Sequence, residues 1–457
     1  MARMTPILGD PPSIDERSDF NLIVKHGHQD LVQAVAFNSY GDRCATGSVD
    51  GKIRVFNRHK DGTWRHCDNW SAHGGEILEL QWLPPTIYPN LLASLGIEGR
   101  FKLWAEDPSA APGRRFSNAV RTSSSSSRSA GTADSKPKAA FETRNSRSPY
   151  RSFSMKHVED TRHTYLALLS ADGTLTVHEN EQPENLADYT QLDEFSVCSR
   201  PARGEETSFR VRFDPNPDVC YQALKAGVPG DALGLVVAAM DSVRIYRSRD
   251  TVSASLGVAT ATKEFYLAAE VPNHRGLVRD VAWAPGNIRG FDIIATACQD
   301  GFVRVFKLDT PTRSEAEDGE PELGGWSTSE LTKKHDSRRT VDDESGISSA
   351  GGHRPGTSSS ELQVRLTSGI RAGLDQSRSG TERRTQPQPG QVKHVVTEIS
   401  KLDSHRTPVW RVGFDDDGQI LGSVGDEGKL MCYRQTPDGS WAKSSELAMV
   451  KMRMAVP

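Results

Sequence analysis

A short hairpin pattern recurs six times along this chain and constrains its fold more than any other feature of the sequence. In the first copy, Asp50 and Gly51 join a run of small residues to an alternating apolar run. Such alternation predicts strands, and an Asp-Gly pair between two of them signals a tight turn. The copies are SVDGKIRVF (48–56), LGIEGRFKLW (95–104), LSADGTLTVHE (169–179), AMDSVRIY (239–246), ACQDGFVRVF (297–306) and VGDEGKLMCY (424–433). This recurrence predicts a repeat architecture in which each unit buries a face against the next.

Each hairpin lies inside a longer unit of four predicted strands. The first unit begins near His28 and the second near His73, a spacing of about 45 residues that is typical of propeller blades. The inner strands are small and aliphatic, as expected where blades converge on an axis. The sequence therefore predicts an all-β propeller of six blades.

Two biased stretches interrupt the repeats. They are rich in Ser, Arg, Gly, Glu and Pro, so they have little apolar surface to bury and are predicted to be disordered. The predicted organisation is a disordered N-terminus (1–19), blades one to five (20–309, with a disordered insertion at about 105–139), a disordered low-complexity insertion (310–391), the fourth strand of blade five together with blade six (392–451), and a tail (452–457).

Histidines recur just before the first strand of four units. We expect them to form hydrogen bonds with the Asp or Ser of the hairpins. Zinc binding is the less favoured alternative, because the spacing puts the histidines in different blades. The residues predicted to shape the repeats are His28, Asp50, Gly51, His73, Gly99, Trp104, Asp172, Gly173, Asp241, His274, Asp300, Gly301, His405 and Gly428.

Composition argues against several classes of function. The net charge is −4, so no overall basicity indicates nucleic-acid binding. No apolar run approaches the ~18 residues that a membrane span needs. The six cysteines are scattered without a C-x-x-C pair, and no catalytic or phosphate-binding motif is present. We therefore expect no enzymatic activity, no cofactor, no metal site, no direct nucleic-acid contact and no membrane insertion.

Three longer stretches carry a resemblance to a known family. The pattern of His, Asp-Gly and a strand-ending aromatic resembles the WD-repeat family, although no third strand ends in Trp-Asp. The stretches at 28–58, 62–85 and 405–433 more closely resemble the small propeller nucleoporins of the nuclear-pore Y complex, in a fungal form with long insertions. These are sisters of the COPII-coat propeller. The resemblance implies a location at the nuclear pore and nuclear envelope, and also at the vacuole membrane in the SEA/GATOR complex of TORC signalling.

Counting strands suggests how the ring is completed. Blade six has its own predicted fourth strand (441–451), so the strand predicted at 20–25 is left over and the ring is predicted to be open. The resemblance implies that an α-helical scaffold nucleoporin supplies a three-stranded blade. The residues predicted to line the open edge are Phe20, Leu22, Val24, Leu31, Val35, Phe37, Val409, Trp410, Val412 and Phe414. In the alternative, 20–25 closes blade six and 441–451 is an outer tail.

The sequence leaves two kinds of binding function open. One is a scaffold subunit of a membrane-coating assembly, in the nuclear pore or in a COPII-type vesicle coat. The other is an adaptor propeller, closed by its own chain, with an Arg-lined or aromatic-lined central mouth that binds a peptide.

Overall fold

A computed structural model describes residues 25–86, 90–111, 113–116, 138–255, 258–286, 290–310 and 391–448. All of them belong to one compact unit formed by Met1–Ala316 and Gln388–Pro457. The second unit, Glu317–Pro387, lies outside the described residues. The same is true of the predicted N-terminal region, of the leftover strand apart from Lys25, and of the tail at 452–457.

In the described part of the chain, twenty-four strands form six four-stranded sheets, and in every sheet the strands follow one another in chain order. All neighbouring strands are antiparallel, which is the arrangement of propeller blades. Blade one contains β1–β4 (Val32–Phe37, Arg43–Ser48, Lys52–Arg58, Trp64–Ser71), and blade two contains β5–β8 (Ile77–Trp82, Leu91–Gly96, Arg100–Ala105, Phe141–Arg144). Blade three contains β9–β12 (Tyr150–Val158, His163–Ser170, Thr174–Asn180, Thr190–Ser196), and blade four contains β13–β16 (Phe209–Phe213, Gly234–Ala239, Ser242–Ser255, Val258–Val271). Blade five contains β17–β20 (Val278–Trp283, Asp292–Cys298, Val303–Asp309, Val395–Leu402), and blade six contains β21–β24 (Val409–Phe414, Ile420–Gly425, Lys429–Gln435, Trp441–Ala448).

The core consists of apolar layers between consecutive blades. One hydrophobic cluster lies between each pair of neighbours from blade one to blade six. The second strands of blades one, two, four and five are buried along their whole length, and those of blades two, four and five have a neighbouring blade packed on each face. This explains their small and aliphatic side chains.

The structure corrects several predicted boundaries. In blade four, β15 and β16 each run for 14 residues and extend well beyond the predicted strands. A short helix, α1 (Tyr221–Lys225), lies between β13 and β14. Residues 441–448 form the outer strand of blade six, so the alternative that placed 441–451 in an outer tail is wrong for this part of the chain.

The predicted disordered insertion at about 105–139 is structured at its start. Glu106 is buried and forms an ion pair with Arg43 at 2.5 Å. Phe116 is also buried, and its ring stacks on Trp70 with 5.1 Å between the ring centroids. The low-complexity composition led to a prediction of disorder, although Glu106 and Phe116 hold the beginning of this segment against blade one.

Candidate interaction surface between blades one and six

A row of three side chains crosses the strands of each blade and faces the preceding blade. In blade two the row is Trp82, Leu92 and Trp104, paired across β5, β6 and β7 and packed against blade one. The equivalent rows are Phe213–Leu235–Tyr246 in blade four, Trp283–Ile294–Phe306 in blade five and Phe414–Leu421–Tyr433 in blade six. Each of these rows belongs to the cluster shared with the preceding blade.

Blade one carries the same row, made of Phe37, Cys44 and Phe56. No described blade precedes it. Phe56 is covered within blade one, where its ring meets His66 edge-on at 5.7 Å, whereas Phe37 is 57% exposed. The row therefore offers an apolar face where other blades have a partner.

A cleft separates this face from blade six. The innermost strands pack side by side from β1 through β5, β9, β13 and β17 to β21, but β21 and β1 do not pack comparably among the described residues. A cavity of about 760 Å³ lies between blades one and six, and we call it the blade 1–6 cleft. Its lining includes Val35, Phe37, Gly413, Val424 and Leu430.

Three of the residues predicted for the open edge are exposed in blade one, and two of them, Val35 and Phe37, line the cleft. Leu31 is 71% exposed and Val35 is 54% exposed. Val35 and Phe37 stand on one face of β1, whereas Ala34 points to the opposite face and is buried against blade two. These exposed apolar side chains contribute little to the stability of the chain as it stands.

Of the residues predicted for the wall of blade six, Val412 and Phe414 also reach the lining of the cleft, whereas Val409 does not line it. Val409 and Val412 are buried in the cluster between blades five and six, and Phe414 packs there edge-on against Trp441. They face blade five because a gap in a ring is bounded by opposite faces of its two flanking blades. Trp410 is 42% exposed but lines a different cavity, described below.

The opposite face of blade six supplies further residues to the lining of the cleft. Along β22 the burial alternates, with Leu421 and Ser423 buried and with Ile420, Gly422 and Val424 only half-buried. The apolar face continues across the sheet through Val424, Leu430 and Leu447, which are cross-strand partners. Leu447 is 58% exposed. Phe20, Leu22 and Val24 lie outside the described residues.

Gly413, in the innermost strand β21 of blade six, lines the cleft without a side chain. A Cβ added there would meet no heavy atom of the described residues within 4 Å. Its backbone is not in the left-handed region, so a larger side chain fits its conformation. The absence of a side chain keeps the cleft wide at this point.

The four histidines form hydrogen bonds inside their own blades. His73 contacts Ser94 at 2.8 Å through Nε2 and Glu98 at 2.6 Å through Nδ1, and the indole of Trp104 also donates to Ser94. His28 contacts Thr46 and Asp50, His274 contacts Thr296, and His405 contacts Ser423 and Glu427. These networks tie the entry of a blade to its central strands.

The carboxylates of two of these networks were missed in the sequence. Glu98 and Glu427 stand where the first blade has Asp50, one residue before the turn glycine. A hydrogen bond from Thr407 and one shared with His405 lower the pKa of Glu427, although its partial burial opposes the shift. The sequence spacing could have identified them. Glu427 lies 22 residues after His405 and Glu98 lies 25 residues after His73, close to the 22 residues between His28 and Asp50.

The remaining repeat residues shape the turns. The turn glycines Gly51, Gly99, Gly173, Gly301 and Gly428 adopt positive φ. Asp50, Asp172 and Asp300 accept hydrogen bonds from backbone N–H groups two residues later. Beside Asp241, where no glycine follows, Met240 takes the positive φ.

The described residues show neither a disulfide nor a cluster of side chains that could bind a metal. All six cysteines are free, and burial raises the pKa of Cys44 to about 11. The part of the chain that the structure describes contains no group of three or more His, Cys, Asp or Glu side chains that could hold a metal ion. None of its helices is long and apolar enough to cross a bilayer.

Comparisons with known proteins identify the family. Residues 21–57 match the WD40 family, described as WD domain, G-beta repeat. The chain is 57% identical to Nucleoporin SEH1 of Chaetomium thermophilum over 538 aligned residues that cover 100% of both proteins. It is 28% identical to Nucleoporin SEH1 of Saccharomyces cerevisiae (90% of this chain, 94% of that protein) and 22% identical to that of Homo sapiens (91% and 84%). The chain therefore belongs to the Nucleoporin SEH1 family of WD-repeat propellers, which are scaffold proteins of the nuclear pore complex, work there with its other subunits and are not enzymes.

Proposed function

We propose that this chain accepts a β-blade from an α-helical scaffold nucleoporin in the blade 1–6 cleft and thereby joins the Y subcomplex of the nuclear pore. The observation that carries the proposal is the exposed end of this row in blade one, where Phe37 is 57% exposed. The same row is covered by a preceding blade in blades two, four, five and six. A blade supplied by another chain would cover it in the same way.

The energetics support this assignment. Full burial of a large apolar side chain stabilises by about 1.5–3 kcal/mol, and Leu31, Val35 and Phe37 are all more than half exposed. Leu447 adds a further exposed apolar group on the facing wall. A neighbouring pair of apolar walls of this kind is an aggregation hazard when nothing covers it.

The strand count supports a seventh blade. Blade six is complete with β24, so closure by its own chain is not needed to finish that blade. The leftover strand predicted at 20–25 and three strands from the partner would form one further four-stranded blade. A closed adaptor propeller and a COPII-type coat propeller remain the alternatives, and neither accounts for the exposed row as directly.

The wider role follows from the family. As a scaffold of the outer ring, the chain would support pore assembly and the transport of mRNA and protein between nucleus and cytoplasm. We also propose a second pool at the vacuole membrane, in the SEA/GATOR complex that regulates TORC signalling. Both pools would use the same cleft, because one chain offers one such gap.

Co-expression tests the proposal. The full chain is produced with the α-helical Y-complex subunit of its own species, either intact or lacking its strand-forming segment, and complexes are separated by size-exclusion chromatography. We expect an equimolar complex only with the intact partner. The double variant Val35→Glu with Phe37→Glu should abolish the complex, whereas Tyr40→Glu, at a site that is 74% exposed, should not. A complex that forms equally well with the truncated partner would refute blade insertion.

A further inference from the structure

Five of the six innermost strands begin with a β-bulge, and the extra residues all line one cavity. The bulge residues are Gln33, Leu78, Arg151, Arg279 and Trp410. The cavity has a volume of about 500 Å³ and lies where the innermost strands start, at one end of the propeller axis. We call it the axial mouth. Bulges re-aim side chains and concentrate at functional sites.

The charge of the axial mouth is strongly positive. Four arginines line it, together with the single acidic residue Glu76; the arginines are Arg151, Arg210, Arg279 and Arg411. This contrasts with the net charge of −4 of the whole chain. The positive charge is therefore local and gathered by the fold.

These arginines are poorly neutralised by the described residues. Arg411 forms no ion pair with any of them, and Arg151 donates only to the carbonyl of Ile97, at 3.3 Å. Arg210 approaches Glu79 at 3.9 Å and Asp280 at 3.7 Å, but its Nε has no hydrogen-bond partner in the described part. Glu79 and Asp280 also form ion pairs with Arg212, whose Nη1 lies 2.5 Å from Oε1 of Glu79. Burial and the charge of Arg411 lower the pKa of Arg210 to about 10, so it stays protonated at neutral pH.

An aromatic surface lies beside these charges. The indole of Trp410 is 42% exposed, and the guanidinium of Arg279 lies 4.5 Å from its ring centroid. Arg279 also pairs with Glu206. The mouth thus combines free guanidinium N–H donors, which suit carboxylates in a bidentate geometry, with an apolar surface for a peptide's stem or backbone.

We propose that the axial mouth binds an acidic peptide segment, with Asp or Glu side chains inserted between Arg151, Arg210 and Arg411. The mouth is a concavity at the starts of the innermost strands, not a stripe along the surface. A nucleic-acid backbone needs an extended basic track, and the overall negative charge opposes such a polyanion. The mouth adjoins the blade 1–6 cleft, since Gln33, Leu78 and Arg411 line both cavities, whereas Arg151 and Arg210 line only the mouth.

Fluorescence anisotropy with the full chain tests the site. The probe is a fluorescein-labelled decapeptide rich in Glu and Asp, and its counterpart has Lys at the acidic positions. We expect saturable binding of the acidic probe that weakens with salt. Arg411→Gln and Arg151→Gln should each weaken binding about tenfold, the effect of losing one charge-assisted hydrogen bond. Arg65→Gln, at a side chain that is 58% exposed on the outer strand of blade one, is the matched control and should change nothing.

The outcomes separate cleanly. Unchanged thermal unfolding of the variants, together with the tenfold losses, supports the site. Equal binding by the variants and the control, equal binding of the Lys probe, or no saturable binding overturns it. Tighter binding of a single-stranded oligonucleotide than of the acidic probe also overturns it. Phe37→Glu should leave binding of the acidic probe unchanged. A negative result for the axial mouth would therefore not count against insertion of a partner blade in the cleft.

Discussion

Phe37 and Phe414 hold the same position in the innermost strands of blades one and six, yet only Phe414 is packed. Phe414 meets Trp441 edge-on at 5.6 Å in the cluster shared with blade five, whereas Phe37 is 57% exposed. The ring of Phe37 meets that of Trp64 in its own blade edge-on, with 5.7 Å between the ring centroids. The difference is the presence or absence of a preceding blade.

This pair gives a matched test in the chain alone. Phe414→Ala should lower the free energy of unfolding by about 2 kcal/mol, since it opens a gap in a packed cluster. Phe37→Ala should cost less than about 0.5 kcal/mol, as is usual for exposed sites. Urea unfolding measures both. A larger loss from Phe37→Ala than from Phe414→Ala would mean that another part of the chain covers the row.

A buried ion pair between blades four and five gives a second prediction. Arg247 donates to Asp292 at 2.6 Å, neither side chain is exposed, and the guanidinium lies 5.0 Å from the centroid of the Trp283 ring. Asp292→Ala leaves a buried arginine with only the longer 3.3 Å contact to Asp214, so it should cost about 3–5 kcal/mol. Glu184→Ala, which breaks a pair that is exposed on both sides, should cost less than about 0.5 kcal/mol. Similar costs in urea unfolding would contradict the assigned role.

The stability should also depend on pH through His394. This imidazole is buried, contacts Thr310 at 2.7 Å, and has its pKa lowered to about 3 by burial and by the charge of Arg247. The folded chain keeps it neutral, whereas the unfolded chain binds a proton below about pH 6.5. Stability from this group is therefore complete above pH 6.5 and is lost as pH falls towards 3, by up to about 1.4 kcal/mol per pH unit.

The variant His394→Asn isolates that contribution. It should flatten the dependence of the unfolding free energy on pH between 6.5 and 4.5, while an amide oxygen can still accept a hydrogen bond from Thr310. Urea unfolding at a series of pH values measures the slopes. An unchanged slope would assign the acid sensitivity to other groups.

Two turn glycines allow the cost of a left-handed backbone to be separated from the cost of a steric clash. Gly51 has φ +74°, and a Cβ there would lie 2.5 Å from the carbonyl oxygen of His73. Gly62 has φ +78°, with no neighbour within 4 Å. Gly62→Ala should cost about 1 kcal/mol from the left-handed backbone alone, and Gly51→Ala more than about 2 kcal/mol because blade one must also move from blade two. Equal melting temperatures would argue against the close approach.

The sequence predicted the repeats well, since turn residues and alternation act locally. It also located Leu31, Val35 and Phe37, because apolar residues at the first predicted blade have no unit before them. At blade six the prediction was incomplete, because Val409 packs against blade five and the lining residues Val424 and Leu430 were not predicted. Strand position does not reveal which face is covered, and only the order of blades around the ring supplies that information.

The sequence raised an Arg-lined or aromatic-lined central mouth only as part of the adaptor alternative, and the residues of the axial mouth were not predicted, for a related reason. Its arginines come from separate strands, and only the ring gathers them. A weak signal exists in the sequence, since Arg210, Asp280 and Arg411 interrupt otherwise apolar strands near the axis. Phe116 was missed because it ends a segment whose composition resembles a linker, although its single ring is fully buried.

The most direct test of partner insertion is to place a large side chain in the cleft by substituting Gly413. Gly413→Trp adds a bulky ring at a position that lines the cleft and where a Cβ meets no described atom within 4 Å, so the chain itself should keep its stability. Gly74→Trp, at an exposed glycine that is equally free of neighbours, is the matched control. Calorimetric titration with the α-helical subunit should show affinity at least about 100-fold weaker for Gly413→Trp and unchanged for Gly74→Trp. Equal affinity of the two variants would contradict insertion of a partner blade between blades one and six.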